Sequence, residues 1–375
     1  MIEVKEVCTR RQKKDFLDFP VNLYKSNPYY VPALYLDEKK IFSKDYVYYE
    51  TCEAVYYIAY KDGVPAGRIS GIIQKASNAK TGEKRVRFTR FDVIDDFEVA
   101  EALFKAVEKW AVSNGMDTVC GPLGFSDFER EGMLIDGFDQ MSTFEEQYNA
   151  PYYGGFMDRL GYEKEVDWVE SQIRLPKDEE SIKEMEKMSD FVMKRYHLHF
   201  GQAKSTNDFL NRYADSFFDI IDNAYEKVYG VVPFTERLKK MMIDNFKLIL
   251  NCNYIALILD EEDKPVAVGL CFPSIAKAMQ ISGGHLYPRA LVKALQSIRN
   301  PEIIDLGLIG VEPEYLNRGI SVVIANELAR MLKNPRIKYA DTNLNIEDNY
   351  AIINLWKRFD EKRNKRRRSY IKKLK

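Results

Sequence analysis

Tyr57-Ile-Ala-Tyr-Lys-Asp-Gly-Val-Pro65-Ala-Gly-Arg-Ile-Ser-Gly-Ile-Ile73 is a hairpin signature: two apolar, β-rich runs flank a Lys-Asp-Gly turn. The pattern returns as Tyr254-Ile-Ala-Leu-Ile-Leu-Asp-Glu-Glu-Asp-Lys-Pro265-Val-Ala-Val-Gly-Leu-Cys-Phe272. The two prolines lie 200 residues apart and the Tyr-Ile-Ala triplets 197, so the second turn is three residues longer. A repeat of this period sets the architecture before any single element is assigned.

The correspondence extends in both directions. A short strand and a helical run precede each hairpin, at 2–7 and 11–25 and again at 197–203 and 207–228. A strand and an amphipathic helix follow, at 86–94 and 98–113 and again at 303–311 and 320–332. Asn149 and Asn349 open further helical runs 200 residues apart, and each half ends in a strand, 167–175 and 368–374. Each half therefore reads β-α-β-β-β-α-β-α-β. The expected domains are 1–176 and 195–375, joined by a charged helix-favouring connector at 177–194.

The chain of 375 residues is 46% hydrophobic, which excludes global disorder. It holds no apolar stretch long enough to span a bilayer, and residues 1–18 carry charges throughout, so neither membrane association nor a secretory signal is expected. Five scattered cysteines without a C-x-x-C pair point to a reduced, cytoplasmic protein. The net charge of −1 conceals a division: residues 357–375 carry +9 and the remainder −10. A solvated helix end and edge strand, a site for ligand phosphates and a nucleic-acid patch are the three readings of that basic run, and nucleic acid is the least expected. His197 and His199 would share one face of a strand, but no metal constellation forms with the cysteines, and no metal is expected.

The element order resembles that of the GNAT acyltransferase superfamily, giving a fold class of α/β (α+β): two tandem GNAT-like domains, each a mixed, mostly antiparallel sheet flanked by helices. Gly310-Val-Glu-Pro-Glu-Tyr-Leu-Asn-Arg-Gly-Ile-Ser321 is similar to the superfamily's Val-x-Pro-x-Tyr strand end and its [QR]-x-x-G-x-[GA] loop. Leu316 replaces the Gln/Arg and Ser321 the second Gly/Ala. Asn349-Tyr-Ala-Ile-Ile-Asn-Leu-Trp356 resembles the later Asn-x-x-Ala-x-x-Leu-Tyr block, with Trp356 in place of tyrosine. Gly121-Pro-Leu-Gly-Phe-Ser-Asp127 and Gly132-Met-Leu-Ile-Asp-Gly-Phe138 look like segments of an uncharacterised bacterial family of tandem GNAT-like proteins.

The resemblance implies an acyl-CoA-dependent N-acyltransferase that uses acetyl-CoA or another acyl-CoA in the second domain. Val311, Asn317, Arg318, Gly319, Ile320, Ser321 and Asn349 would bind the CoA thioester. Asp305 would act as general base and Tyr350 or Tyr315 as general acid. Arg366–Arg368 could reach a phosphate of the cofactor. In the first domain Asp95 and Asp96 stand where a pyrophosphate would go, and they suit the cap of a helix beginning near Phe97. No CoA is expected there. The Gly-rich connection 120–143 is acidic, and Phe125, Asp127, Tyr148, Asn149, Tyr152 and Tyr153 could receive an amine or peptide substrate, or could pack the interior. Two other functions stay open: a GNAT-fold binding module that has lost its chemistry, and an aminoacyl- or peptidyl-transferase. The oligomeric state is not set by the sequence.

Overall fold

Both hairpins form where the repeat places them. The structure, a computed structural model, describes every residue except Lys227, Gly230 and Lys375, the last of which ends the basic run. The first repeat contains β1 (Ile2–Glu6), α1 (Arg10–Leu23), α2 (Tyr35–Lys40), β2 (Cys52–Lys61), β3 (Val64–Gln74), α3 (Lys75–Thr81), β4 (Arg85–Val93), α4 (Phe97–Ser113), β5 (Thr118–Gly121), β6 (Met133–Asp136), α5 (Tyr152–Leu160) and β7 (Glu163–Arg174). After α6 (Glu179–Arg195) come β8 (His199–Phe200), α7 (Thr206–Tyr225), α8 (Glu236–Phe246), β9 (Ile255–Leu259), β10 (Pro265–Pro273), α9 (Ala276–Ser282), α10 (Pro288–Arg299), β11 (Ile303–Val311), α11 (Ile320–Leu332), β12 (Tyr339–Asp341), β13 (Asn345–Ile346), α12 (Tyr350–Trp356) and β14 (Asp360–Lys373).

Local chemistry sets these boundaries. Asp62 and Gly63 take positive φ between β2 and β3, the backbone that a tight hairpin turn demands. In the longer second turn the Asp260 carboxylate accepts from the amides of Glu262 and Lys264, both at 3.0 Å. Thr9 and Gln12 form a reciprocal capping box on α1, and Asp178 accepts from Ser181 N at 2.7 Å to start α6. The connector is thus a helix with its own buried face of Met185, Ser189 and Val192. The reading of a strand at 197–203 is corrected: β8 is two residues long, and His197 turns the chain with a φ of 52°. The two histidines therefore do not share a strand face, and His199 Nε2 meets Asp263 Oδ1 at 2.8 Å.

The chain forms two compact units, each discontinuous in sequence. Unit 1 comprises Met1–Trp168, Ala276–Leu291 and Lys365–Lys375; unit 2 comprises Val169–Ile275 and Val292–Asn364. In unit 1 the strand order is β1-β2-β3-β4-β5-β14, antiparallel except for the β4/β5 pair. In unit 2 the order is β7-β12-β11-β10-β9-β8, antiparallel except for β11/β12. The closing strand beside β5 is the end of the chain, with Tyr370 opposite Gly121, and the strand beside β12 is β7, with Ile173 opposite Ala340. The later part of each repeat's final strand, from Val169 in β7 and from Lys365 in β14, lies in the unit built mostly from the other repeat. The loop after α9 also belongs to unit 1, where Gln280 Nε2 donates to the carbonyls of Pro28 and Tyr30 at 2.8 and 2.9 Å.

The basic run forms β14 rather than a solvated end. Lys365 and Arg367 are buried on Glu146, at 2.7 and 3.2 Å. Arg366 and Arg368 bond the buried carboxylate of Asp167, each at 2.7 Å. Arg367 is enclosed in unit 1 and cannot serve a cofactor phosphate as expected, while Arg366 and Arg368 are paired with Asp167 but half-exposed.

Candidate functional site

The two units share a local device. In unit 2, β11 and β12 pair in parallel only over Ile303–Asp305 and Tyr339–Asp341, and β11 then runs six residues further without that neighbour. In unit 1, β4 and β5 pair only over Arg85–Arg87 and Thr118–Cys120, and β4 likewise runs on for six residues. In each pair one strand stops and the other runs on without it, which opens a fork in the hydrogen-bond ladder. A strand that loses its partner part-way offers backbone N–H and C=O groups to whatever enters the fork.

Unit 1 fills its fork with its own residues. Leu123 N donates to the Phe88 carbonyl at 2.9 Å, and at Gly121, whose φ is 139°, a Cβ would lie 2.3 Å from that same carbonyl oxygen. The Tyr153 hydroxyl accepts from Val93 N at 2.8 Å and meets the Tyr24 hydroxyl at 2.8 Å, while Tyr152 Oη donates to the Val93 carbonyl at 2.6 Å. Phe125 is fully buried, stacked on Tyr48 at 5.3 Å. Tyr148 and Asn149 are buried as well; Tyr148 Oη donates to the Phe138 carbonyl, and Asn149 Oδ1 accepts from Leu134 N. Of the six sequence candidates for an acceptor site, Phe125, Tyr148, Asn149 and Tyr153 are therefore committed to packing. Asp127 and Tyr152 are half-buried.

Sequence reasoning missed the charged cluster next to this fork. Arg90, in the left-handed region at φ 49°, bonds Glu38 at 3.1 Å and Glu129 at 3.3 Å and lies over the Phe125 ring. The available signal was Arg87, Arg90 and Asp92 interrupting an apolar strand. Glu131 is buried, one of its carboxyl oxygens has no hydrogen-bond partner, and burial together with Asp127 pushes its pKa well above the carboxylate range. Burial would also raise Glu38, but Arg90 and Arg68 outweigh it and hold the carboxyl at about 2. A carboxyl depressed in the folded state stabilises above its unfolded pKa of 4.5 and loses that contribution as pH falls toward 2. The urea midpoint should therefore drop between pH 5 and about pH 2, and Glu38→Gln should flatten that dependence.

The helices that follow the forks begin differently. At α4 the Asp96 carboxylate accepts from Glu98 N at 3.0 Å and pairs with Lys61, so the helix N-terminus already carries an anion. At α11 the N-cap is Gly319, with φ 82° and no side-chain cap. Asn317 is also left-handed at φ 63°. The amides of Ile320 and Ser321 belong to the first turn and have no partner within the helix. Arg318 is exposed, its guanidinium held over the rings of Tyr315 and Tyr196 at 4.7 and 5.4 Å. Positive-φ residues, free first-turn amides and a cation make an anion-binding concavity.

The remaining candidates of unit 2 lie as follows. Asp305 is buried at the last paired position of β11, in register with the buried Asp341 of β12, at the point where the fork opens. Burial, then the Asp305 charge, pushes the neighbouring Cys271 thiol up to about 12. Gly307, Leu308 and Ile309 beyond it are half-exposed, and Tyr225 Oη donates to the Ile309 carbonyl at 3.1 Å. Val311 ends the strand, and Leu316 is exposed in the loop. Tyr315 is raised by burial and by Asp260. Asn349 caps α12, its Oδ1 accepting from Ile352 N at 3.4 Å, and Tyr350 is exposed beside it. Trp356 is a core residue whose Nε1–H donates to Asn345 Oδ1 at 3.2 Å. Among the described residues no cluster of three or more His, Cys, Asp or Glu could hold a metal.

No protein-family model matches the sequence. The chain is 26% identical over 389 residues to Protein YghO of Escherichia coli, covering 99% of this chain and 95% of that one. It is 24% identical over 328 residues to a bacterial ceramide synthase of Caulobacter vibrioides, covering 84% and 81%. Among solved structures it resembles a tandem GNAT protein from the clavulanic acid biosynthesis pathway, with a TM-score of 0.57, 10% identity and coverage of 100% and 98%. A GCN5-related N-acetyltransferase from Sphaerobacter thermophilus gives 0.52 at 10% identity, covering 99% and 95%. At such identities the likeness speaks for architecture alone, and it agrees with the forked parallel pair and helix of each unit: the fold of this chain is the GNAT fold.

Proposed function

We propose that unit 2 binds an acyl-CoA, acetyl-CoA or a longer thioester, and transfers its acyl group to an amine. The observation that carries this reading is the uncapped N-terminus of α11, with Gly319, Asn317 and Arg318 arranged for an anion, set against the α4 N-terminus that Asp96 already occupies. The loop amides and Arg318 would hold the pyrophosphate, and the backbone of β11 beyond Asp305 would align the pantetheine arm. The thioester supplies an activated carbonyl. Attack by the amine nitrogen forms the C–N bond as the C–S bond breaks. Asp305 would take the proton lost by nitrogen, directly or through water, and Tyr315 or Tyr350 would return one to the sulfur. The Caulobacter relative is named a ceramide synthase; a ceramide is an amide, which supports an amine acceptor here. Repeats at 1–176 and 195–375 with the connector 177–194, and a reduced cytoplasmic setting for the five free thiols, complete the reading.

A binding module without turnover is favoured by two observations: the Ile309 carbonyl is taken by Tyr225, and Trp356 cannot serve as an acid. Calorimetric titration with acetyl-CoA and CoA tests binding, and release of free thiol on mixing with amines tests transfer. Saturable binding to the full chain, weakened about tenfold or more in Arg318→Glu, is expected. No binding at millimolar ligand would overturn the proposal; binding without thiol release across amine classes would leave the module.

A further inference from the structure

Helix α10 inverts the usual burial pattern. The side chains it turns inward are small, Ala290 at 1% and Ala294 at 7% exposure. The side chains it turns outward are large and apolar: Leu291, Val292 and Leu295 at 45–55%. The chain entering the helix adds Tyr287 at 60% and Leu286 at 39%. A helix docked only on its own protein shows the opposite arrangement, with apolar residues inward and charge outward, as α4 does with Leu103, Phe104 and Val107 buried and Lys105 and Lys109 exposed. Contiguous exposed apolar surface marks a place where something else binds.

The charges around this face say what. Arg289 and Arg299 are exposed and Lys293 is half-exposed, and among the described residues none has an ion-pair partner. No Asp or Glu occurs from Lys264 to Pro301, a stretch holding five Lys/Arg, although the protein outside its basic end sums to −10. Apolar side chains flanked by unpaired cations, with acids excluded, are the composition of a helix that lies in the interface of an anionic bilayer. A second copy of the chain fits worse, because a two-fold contact would bring the same cations together.

We propose that α10, with Leu286 and Tyr287, docks the protein on an anionic membrane surface, the leucines and valine entering the acyl boundary and Arg289, Lys293 and Arg299 meeting lipid phosphates. This amends the expectation of no membrane contact, which rested on the absence of a spanning segment. Among the described residues no helix is long and apolar enough to cross a membrane, and a surface-lying helix needs no such length. The inference stands whether or not unit 2 transfers an acyl group.

The test is flotation of the full chain with vesicles of phosphatidylcholine containing about a quarter phosphatidylglycerol, against phosphatidylcholine alone. The protein should float with the anionic vesicles, and about 0.5 M salt should weaken the association. Leu291→Ser/Leu295→Ser and Arg289→Glu/Lys293→Glu should each reduce it about tenfold or more, each lost cation counting for about fivefold. All four side chains are at least partly exposed, and unchanged circular dichroism and urea midpoints would show that the variants stay folded. Failure to float, or equal flotation with both vesicle types and the charge variant, would overturn the proposal. So would light scattering showing a dimer that the serine pair dissolves while vesicles are ignored.

Discussion

Glu146→Ala lowers the unfolding free energy of unit 1 by about 3–5 kcal/mol, a large share of what a domain possesses. Glu146 Oε2 is the shared anchor of Lys365 Nζ and an Arg367 guanidinium nitrogen, and it also accepts from Thr143 N at 3.0 Å. The side chains of all three charged residues are at most 1% exposed. Removing the carboxylate takes their shared anchor from two buried cations, which costs more than the intact pairs contribute. Arg367 keeps its bond to the Gln147 carbonyl, a neutral acceptor that does not replace the lost charge. Glu146→Gln should cost less than alanine because it retains an acceptor of the same shape. Replacing all three residues with leucine or methionine should recover most of the loss, since the ions then leave together. Glu145 gives a second readout: burial, then the Glu146 charge, raises it to about 7, and Glu146→Gln should lower that value. Urea midpoints of the four proteins check the order; a single-alanine variant as stable as the parent would show that the pairs are not desolvated.

That network also marks where the sequence stopped being informative. The repeat was legible because turns and apolar periodicity are local: 303–311 and 320–332 match β11 and α11 residue for residue, and Asp96 caps α4 as its position suggested. Strand exchange was not legible. A closing strand has the same alternation whichever sheet receives it, so nothing in 368–374 says that it pairs with β5. The run Lys365–Arg368 read as surface because four successive cations are almost always solvated, and the distant Glu146 and Asp167 help make the burial of Lys365 and Arg367 and the half-burial of Arg366 and Arg368 tolerable. The same blindness affected the candidate site. Gly319 and Arg318 stood out through the resemblance of 310–321 to a family loop, and a left-handed glycine does open α11 there. The roles of Tyr148 and Tyr153 were not legible, because an aromatic run looks alike lining a cleft or filling one. Their hydroxyl partners, the Phe138 carbonyl and Val93 with Tyr24, decide for filling.

Gly319→Ala should weaken CoA binding about tenfold or more while leaving the protein folded, and it separates two causes that act at one position. The residue begins α11 in the left-handed region, where a Cβ costs about 1–2 kcal/mol. That Cβ would also lie 2.9 Å from Val192 Cγ2 on α6, a side chain that is itself buried and has little room to turn. The cheapest relief is rotation of residues 317–319 toward negative φ, which would turn the loop amides away from a bound phosphate. Val192→Ala/Gly319→Ala removes the steric conflict and keeps the backbone penalty. If the double variant regains stability but not affinity, the left-handed backbone is what presents the amides. If it regains both, the helix only needed space. The matching change in unit 1, Asp96→Gly, opens the α4 N-terminus by removing its carboxylate. It should cost only a few tenths of a kcal/mol in capping, and it should create no CoA site there, since Leu123, Tyr152 and Tyr153 still fill the fork. Calorimetry on these variants reads affinity and stoichiometry together. Undiminished affinity in Gly319→Ala would move the anion site away from α11.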